Sequence, residues 1–410
     1  MKSNYKRLGP YISEVNNRNS DLSIDRLQGI SSIYKCFMQS KANIVDVEFL
    51  SYKVVNKYQF AFNPNTARMG DKIPIALNLD EPCIVSSIYP VFEITKTDEF
   101  MPEYLMMWFR RPEFDRYARF HSHGSAREVF GWEEMCNVEL PIPSIVKQKE
   151  IVDEYHTIIN RIKINEQLIQ KLEETAQAFF KKWFVDYEFP DENQNPYKSS
   201  GGEMEFNKEL GKDIPKGWEC LTIGDVVDCN YSIISAKDNF KTIEYLDTSS
   251  ITNNEIEEIQ ILDTEHDEIP SRAKRKVNHN DIIFSTVRPN LRHFGILKNP
   301  KKNMIVSTGF AVLKPNYKKI CGELIYLLIT SEENLQNLQA RAEMSVSTYP
   351  SINPEDLLDI NIIVPPKERN LFSDDLFKSQ FELLDSKKRE NKLLRDMGKI
   401  LLSKLATIKN

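Results

Sequence analysis

The sequence has little of what marks secreted, membrane-spanning or zinc-binding proteins. Its six cysteines are scattered through 410 residues, and no two of them form a C-x-x-C pair. This spacing predicts reduced thiols and no zinc site. No apolar run approaches the roughly 18 residues of a membrane span, and the start, MKSNYKRLGP, lacks the apolar stretch of a signal peptide. We therefore expect a cytoplasmic protein.

The motifs of the common nucleotide-dependent and DNA-modifying enzymes are also missing. The sequence has 14 glycines but neither a G-x-x-x-x-G-K-S/T phosphate loop nor a G-x-G-x-x-G turn. It also lacks the D/N/S-P-P-Y/F/W motif with which amino-methyltransferases hold a base. The pair His121 and His123 has no cysteine or carboxylate spacing beside it, which favours two loop histidines over a metal site. We expect no catalytic residue, no metal and no cofactor in this chain.

Size and composition are those of a folded protein with more than one domain. With 41% hydrophobic and 10% aromatic residues, 410 residues can bury two or three cores. The net charge of -6 gives no sign of nucleic-acid binding by the chain as a whole. Positive charge must therefore be sought in individual segments.

The chain contains an internal repeat with an offset of about 221 residues. A repeat of this kind matters because missing it leads to a wrong prediction of the whole fold. Three pairs of segments agree in order, spacing and apolar pattern: 84–94 with 305–315, 103–114 with 323–334, and 133–143 with 355–365. We expect an α+β protein made of two pseudo-repeated mixed α/β globules, each followed by a long helix. The predicted boundaries are 1–145 and 214–366 for the globules, 146–186 and 367–410 for the helices, and 187–213 for a polar linker.

Both predicted helices carry apolar residues at alternating steps of three and four, the pattern of a coiled-coil seam. The alternative is an amphipathic helix lying on a globular core. We expect the two helices to pair as an antiparallel coiled coil, because the second globule must return beside the first. The first seam is Ile151, Tyr155, Ile158, Ile162, Asn165, Ile169, Leu172, Ala176, Phe179 and Trp183; the second is Phe377, Leu384, Leu394, Leu401 and Leu405, interrupted by Gln380, Lys387, Asn391 and Gly398.

Positive charge is concentrated in one segment, 271–302, whose net charge is +8. Phosphate binding requires such clustering, and arginine or asparagine side chains can make paired hydrogen bonds to base edges. The alternative is a solvated surface that binds nothing. The DNA-binding candidates of both copies are Asn63, Asn65, Arg68, Arg119, Ser125, Arg127, Arg272, Lys274, Arg275, Arg288, Asn290, Arg292, Ser347 and Tyr349.

Several stretches closely resemble the specificity (S) subunit of Type I restriction–modification systems. They are LEETAQAFFKKWFVDYE from Leu172, ELGKDIPKGWE from Glu209, DIIFSTVRPNLR from Asp281, STGFAVLKP from Ser307 and STYPSINPEDL from Ser347. The resemblance covers nearly the whole chain and is more specific in its second half.

The resemblance implies two target-recognition domains, each of which reads one half of a split, asymmetric double-stranded DNA site. It implies that the helices separate these domains and dock two methyltransferase (M) subunits, with up to two restriction (R) subunits joining to cleave foreign DNA. S-adenosylmethionine, ATP and magnesium would then belong to the partner subunits. For the docking surface we predict the apolar helix ends, Phe179, Phe180, Trp183, Phe184, Leu401 and Leu405.

Two other functions remain open from the sequence. A coiled-coil adaptor that joins two proteins without nucleic acid would leave the +8 segment without a role. A solitary DNA-binding regulator would work without methyltransferase subunits.

Overall fold

The protein is described by a computed structural model that covers residues 5–40, 49–65, 72–123, 128–235, 237–345 and 349–408, with the backbone alone for 367–373. The chain divides into two compact units. Unit 1 comprises Met1–Asn165 and Glu390–Asn410, and unit 2 comprises Glu166–Arg389. Within the described ranges no helix is both long and apolar enough to cross a membrane.

Unit 1 is a mixed α/β globule to which the start of one long helix and the end of another belong. Its helices are α1 (Pro102–Phe109), α2 (Pro112–Phe120), α3 (Trp132–Cys136) and the first part of α4 (Ile145–Phe180). Its strands are β1 (Tyr5–Arg7), β2 (Ile12–Val15), β3 (Gln28–Ile30), β4 (Phe37–Gln39), β5 (Lys53–Val55), β6 (Phe60–Phe62), β7 (Ile75–Leu77), β8 (Cys83–Val85), β9 (Val91–Ile94) and β10 (Glu139–Pro141).

The centre of unit 1 is a four-stranded antiparallel sheet in the order β2-β9-β6-β7. Strand β6 consists of Phe60, Ala61 and Phe62, all fully buried, as expected of a strand covered on both faces. Helices α1 and α2 each begin with proline, which suits the first helical turn because its missing N–H would have no partner there. Small sheets of β1 with β10, β3 with β4 and β5 with β8 complete the unit.

In unit 1 the two long helices contact each other along their buried seams. Asn165 and Asn391 are 1% and 2% exposed, and the Asn165 Nδ2 donates a hydrogen bond to the Asn391 Oδ1 at 2.9 Å. Arg161 pairs with Glu390 at 2.7 Å. The asparagine that interrupts the second predicted seam thus meets the one asparagine of the first.

Unit 2 contains the remainder of both long helices and the second globule. Its helices, besides its part of α4, are α5 (Gly322–Ile329), α6 (Glu332–Glu343), α7 (Pro354–Leu358) and the first part of α8 (Lys367–Lys404). Its strands are β11 (Met204–Asn207), β12 (Lys212–Pro215), β13 (Glu219–Thr222), β14 (Val227–Cys229), β15 (Thr242–Leu246), β16 (Ile251–Thr252), β17 (Glu255–Ile256), β18 (Gln260–Asp263), β19 (Ala273–Lys276), β20 (Ile282–Ser285), β21 (Phe294–Ile296), β22 (Met304–Ser307), β23 (Phe310–Pro315) and β24 (Asn361–Val364).

Unit 2 has two four-stranded sheets. One is antiparallel in the order β14-β23-β20-β21, and the other, β18-β15-β22-β19, contains one parallel pair, β15 with β22. The apolar run of β20 is buried throughout, which places its carboxyl end at the edge of a rigid core. Helix α7 begins with a capping box in which Asn353 and Asp356 satisfy each other's backbone N–H groups.

Two expectations about unit 2 are corrected by its core. The polar segment 187–213, predicted to be a linker, is folded: Phe189 and Tyr197 stack with centroids 4.5 Å apart and are buried in the core cluster of the unit. The helix-end aromatics are buried too, with Phe180, Trp183 and Phe184 only 4%, 8% and 8% exposed. In both segments buried aromatic rings hold the chain against the core. The polar and basic residues around these rings made the segments look solvent-exposed in the sequence.

One of the remaining interruptions of the second seam has a structural explanation. Gln380 donates from its Nε2 to the main-chain carbonyl of Leu172 at 2.8 Å. Gly398 is buried against Tyr155 and Ile158, where an added methyl would lie 3.9 and 4.0 Å from these side chains. Such distances are ordinary contacts, so packing does not require glycine here.

Candidate nucleic-acid interface

In unit 2 four segments meet beyond the carboxyl end of β20. Thr286 N donates to Gly309 O at 2.9 Å, and Ile352 N donates to Thr286 O at 2.9 Å. Thr308 N donates to Arg272 O at 2.9 Å, which joins the segment that leads into β19. Main-chain hydrogen bonds therefore hold the predicted residues at Arg272, Arg288 and Tyr349 on neighbouring loops.

Arg288 and Arg292 stand at the two ends of a short 3-10 helix, Pro289–Leu291, and both have left-handed backbone conformations. Their φ angles are 47° and 58°. Such conformations cost residues other than glycine on the order of 1–2 kcal/mol each, and they occur most often at functional sites. Arg288 N is held by Pro350 O at 2.9 Å, and its guanidinium lies 5.2 Å from the centre of the Tyr349 ring. The structure thus brings two predicted residues into direct contact.

Folding neutralises much of the +8 segment. Lys276 pairs with Asp238 at 2.5 Å, Arg292 with Glu332 at 2.6 Å and Lys298 with Glu323 at 2.8 Å. Lys301 pairs with Glu244. A charge count along the sequence therefore overstates the positive potential at this surface, because acids from distant segments lie beside four of its nine cations.

The exposed cations of this segment are Arg272, Lys274, Arg288, Lys301 and Lys302; Lys301 is the one already paired with Glu244. Arg275 is different: it is half-buried on β19, its Nη1 has no hydrogen-bond partner among the described residues, and burial lowers the pKa of its guanidinium. We therefore infer that Arg275 supports the surface from below and that its exposed neighbours contact a ligand.

Asn290 and Arg292 take part in the site chiefly by fixing the loop. Asn290 N donates to the Gln339 side chain on α6 at 3.2 Å, and the Arg292 side chain is held by Glu332 at the start of the same helix. Asn290 itself is exposed. Of the three polar side chains in this loop, Arg288 and Asn290 are thus the freest to meet a base edge.

Unit 1 has the same construction at the end of β6. Asn65 is bridged to Val129, and Phe130 N donates to Pro64 O at 2.8 Å. In unit 2 Val287 is bridged to Ser351, and Ile352 N donates to Thr286 O. Each of these residues in unit 2 lies 222 positions after its counterpart.

Asn63, one of the predicted DNA-binding residues, is buried and bonded within its own turn. Its side chain is 5% exposed, and its Oδ1 accepts the hydrogen bond that Asn65 N donates at 3.1 Å. An asparagine that closes its own turn cannot also reach a base edge. Asn65, which is half-buried, remains the candidate of this loop.

The arginines around Arg119, one of the predicted DNA-binding residues, mostly make contacts within unit 1. Arg119 contacts the carboxylate of Glu128, and Arg116 pairs with Glu113 at 3.3 Å. Arg111 is 6% exposed with its guanidinium 4.2 Å from the centre of the Trp108 ring. Arg68, Ser125, Arg127 and Ser347 lie outside the described residues.

The two loop histidines of unit 1 lie beside one carboxylate. His121 Nδ1 and His123 Nε2 are 3.6 and 3.7 Å from the oxygens of Glu134. Across the described ranges no three histidine, cysteine, aspartate or glutamate side chains are grouped so that they could hold a metal ion.

The sequence was compared with protein families and characterised proteins. Residues 215–389 match the family model of the Type I restriction modification DNA specificity domain. The HindI specificity subunit of Haemophilus influenzae, a Type I restriction enzyme subunit, is 26% identical over 151 residues, which make up 37% of this chain and 32% of that protein. The MjaIX specificity subunit of Methanocaldococcus jannaschii is 31% identical over 134 residues, or 33% of this chain and 29% of that protein.

Residues 215–389 of this chain are thus similar to the DNA specificity domain of Type I restriction–modification systems. This confirms the resemblance found in the sequence. The match with the curated relatives spans about a third of their length. The crystal structure of the Type I restriction–modification S subunit from M. genitalium has the same fold, with a TM-score of 0.58 at 12% sequence identity, and covers 99% of this chain and 96% of that chain.

Sequence reasoning missed an exposed apolar stripe on the distal helix. Leu393, Met397 and Ile400 are 66%, 53% and 55% exposed, although they repeat at four and three residues like a seam. The predicted docking residues in the same stretch, Leu401 and Leu405, are half-buried and fully buried in the core of unit 1. The seam and the stripe share one spacing, so the pattern alone could not tell which of them faces the core.

Proposed function

We propose that this chain is the DNA-reading subunit of a Type I restriction–modification complex and that each unit reads one half of a bipartite, asymmetric site. The observation that carries the proposal is the cluster of segments after β20, where Arg272 and Arg288 on hydrogen-bonded neighbouring loops and Lys274 on β19 are exposed. Exposed arginine and lysine supply phosphate contacts, and arginine and asparagine supply base contacts.

The two units are proposed to be copies of one fold. The sheet order β2-β9-β6-β7 of unit 1 corresponds, strand for strand, to β14-β23-β20-β21 of unit 2. The pairing of β1 with β10 likewise corresponds to that of β13 with β24. Two copies of one reading fold that differ in their loop side chains would recognise two different half-sites, which explains why the site should be asymmetric.

The long helices are proposed to pair as an antiparallel coiled coil. In unit 1 residue Arg161 contacts Glu390, and Asn165 contacts Asn391. In unit 2 Gln380 contacts Leu172, and Phe377 packs edge-on against Trp183. Within each unit, later positions of α4 contact earlier positions of α8: Tyr155 and Arg161 lie against Gly398 and Glu390 in unit 1, and Leu172 and Trp183 lie against Gln380 and Phe377 in unit 2. This order is that of an antiparallel pair.

Catalysis is proposed to lie in partner subunits, with S-adenosylmethionine, ATP and magnesium bound there. We propose that two methyltransferase subunits dock on this chain, that up to two restriction subunits join them, and that one docking surface is the stripe of Leu393, Met397 and Ile400. Contiguous exposed apolar side chains are unfavourable in water and mark protein contacts. The buried aromatics at the end of α4 are withdrawn from this role.

Sequencing the methylated bases of host DNA, with and without this gene, tests the proposed function. We expect one bipartite motif to disappear when the gene is deleted and to return when it is supplied together with its methyltransferase subunit. The purified chain alone should transfer no methyl groups. If the deletion leaves every methylated motif in place, the proposal fails.

The adaptor without nucleic acid is separated from this proposal by binding measurements at several salt concentrations. A DNA-reading chain should lose affinity as salt rises, because phosphate contacts release counterions. An adaptor should show no measurable affinity for duplex DNA at any salt concentration.

A further inference from the structure

Two large apolar side chains are far more exposed than a folded protein needs. In the described part of the chain, Met344 at 83% and Phe120 at 81% are the most exposed large hydrophobic residues. Single apolar residues on a surface are common and need no explanation. These two differ because they occupy corresponding places in the two units.

The correspondence follows from the surrounding elements. Phe120 is the last residue of α2, and Met344 directly follows the last residue of α6. Each of these helices is the second of a pair that follows the central sheet of its unit. The two residues are 224 positions apart, close to the 222 that separates the paired loops.

Both side chains stand next to the proposed reading loops. Three residues after Phe120, the main chain of His123 pairs with Val129, which is bridged to Asn65 at the end of β6. One residue after Met344, Ser345 accepts at its Oγ the hydrogen bond that Ser351 N donates at 3.4 Å.

In unit 2 a further contact links Ser351 to the loop of the exposed Arg288. Ser351 is bridged to Val287, the neighbour of Arg288. The segment that follows the exposed methionine is therefore linked, through Ser351, to the loop that carries an exposed cation. An apolar tip next to a cation fits a polyanion whose interior is apolar, and duplex DNA has both properties.

We propose that Phe120 and Met344 are DNA wedges, one for each half-site, whose apolar tips press against base pairs while neighbouring cations bind phosphate. This inference rests on the proposed function. Apolar wedges of phenylalanine or methionine partly unstack a base step, and the cost of a few kcal/mol is recovered through contacts with the bent duplex. A wedge also favours steps that unstack easily, so it contributes to specificity without a hydrogen bond to any base.

The test uses the assembled complex of this chain with its methyltransferase subunit and a duplex that carries the motif found by methylation sequencing. The duplex contains 2-aminopurine at one base step of either half-site, because this base becomes more fluorescent when it is unstacked. The variants are Phe120→Ala and Met344→Ala, with Phe120→Leu and Met344→Leu as apolar replacements. Tyr34→Ala in unit 1 and Ile261→Ala in unit 2, at positions 75% and 70% exposed, are the matched controls.

Each alanine variant should weaken binding to the motif roughly tenfold, a loss typical of a removed stacking contact. It should abolish most of the fluorescence increase in one half-site only, with Phe120→Ala and Met344→Ala acting on opposite half-sites. The leucine variants should retain most of both signals, and the control variants should retain both in full. Affinity for an unrelated duplex should change by less than about twofold, since phosphate contacts dominate it.

Three results would overturn the inference. The alanine variants could bind the motif with unchanged affinity and fluorescence, in which case the tips do not touch bases. They could lose affinity equally for motif and unrelated DNA, which indicates a general surface effect. They could instead fail to assemble with the methyltransferase subunit, which would make the tips protein contacts. Failure of the wild-type complex to prefer its motif would count against the proposed function itself.

Discussion

The buried amide pair of Asn165 and Asn391 leads to a prediction about the stability of the helix pair. Both side chains are almost fully removed from water, and one hydrogen bond of 2.9 Å joins them. The Asn391 Nδ2 also lies 3.5 Å from the carbonyl oxygen of Ile162. Replacing either residue with leucine keeps the branching at Cγ but leaves the other amide facing an apolar side chain. An unpaired buried polar group costs about 1–3 kcal/mol.

The double variant Asn165→Leu with Asn391→Leu should behave differently from either single variant. With both amides gone, no polar group remains unpaired, and two leucines extend the apolar seam. We expect each single variant to be about 1–3 kcal/mol less stable than the natural chain, and the double variant to be at least as stable as the natural chain. A buried asparagine in a helix pair specifies register at a cost in stability, so its removal should relieve that cost.

Hydrogen–deuterium exchange of the amides around these positions is the appropriate measurement, because it reports local opening in a chain that has more than one cooperative unit. The free energy of opening should fall in each single variant and recover in the double variant. If the double variant loses as much free energy of opening as the two single variants together, the two amides do not interact and the pairing of Asn165 with Asn391 is wrong.

Other substitutions test the site and the core. Arg288→Ala should cost about 1–3 kcal/mol at one position of one half-site if the guanidinium reads a base, whereas Lys318→Ala, at another exposed cation, should leave the methylated motif unchanged; equal effects would show that only overall charge matters. Lys298→Met strands the buried carboxylate of Glu323 and should destabilise unit 2 by about 3–5 kcal/mol in thermal unfolding, and the double variant with Glu323→Leu should recover most of that loss; no recovery would show that the ion pair is not the cause. Trp183→Ala should lower the stability of unit 2 by about 3–5 kcal/mol; a variant that loses methyltransferase docking but keeps its stability would restore the aromatic docking surface.

Elements with a regular apolar pattern could be predicted from the sequence. The seam of the first helix is a case: every predicted position from Ile151 to Trp183 is buried or half-buried. Local chemistry is enough for such a prediction because the apolar side chains of the seam recur at regular steps along one side of the helix. The mixed α/β character of the chain and its long helices were predicted on the same grounds.

What the sequence could not show depends on contacts between distant residues. Glu332, Glu323 and Glu244 neutralise cations from which they are separated by 25 to 57 positions. The buried state of Asn63 likewise depends on the strand that pairs with its own. Only the fold reveals which charges face solvent, so the residues of a binding surface are the least predictable part of this chain.

Strain and packing in the arginine loop together explain how a reading surface could be kept rigid. Left-handed conformations at Arg288 and Arg292 persist only if the surroundings hold them. Pro350 holds one end, and Glu332 on α6 holds the other. Helix α6 therefore fixes the loop that carries Arg288 and also ends beside Met344. A shared support of this kind keeps a cation and an apolar tip at a constant distance, which a surface that must match phosphate and base spacing requires.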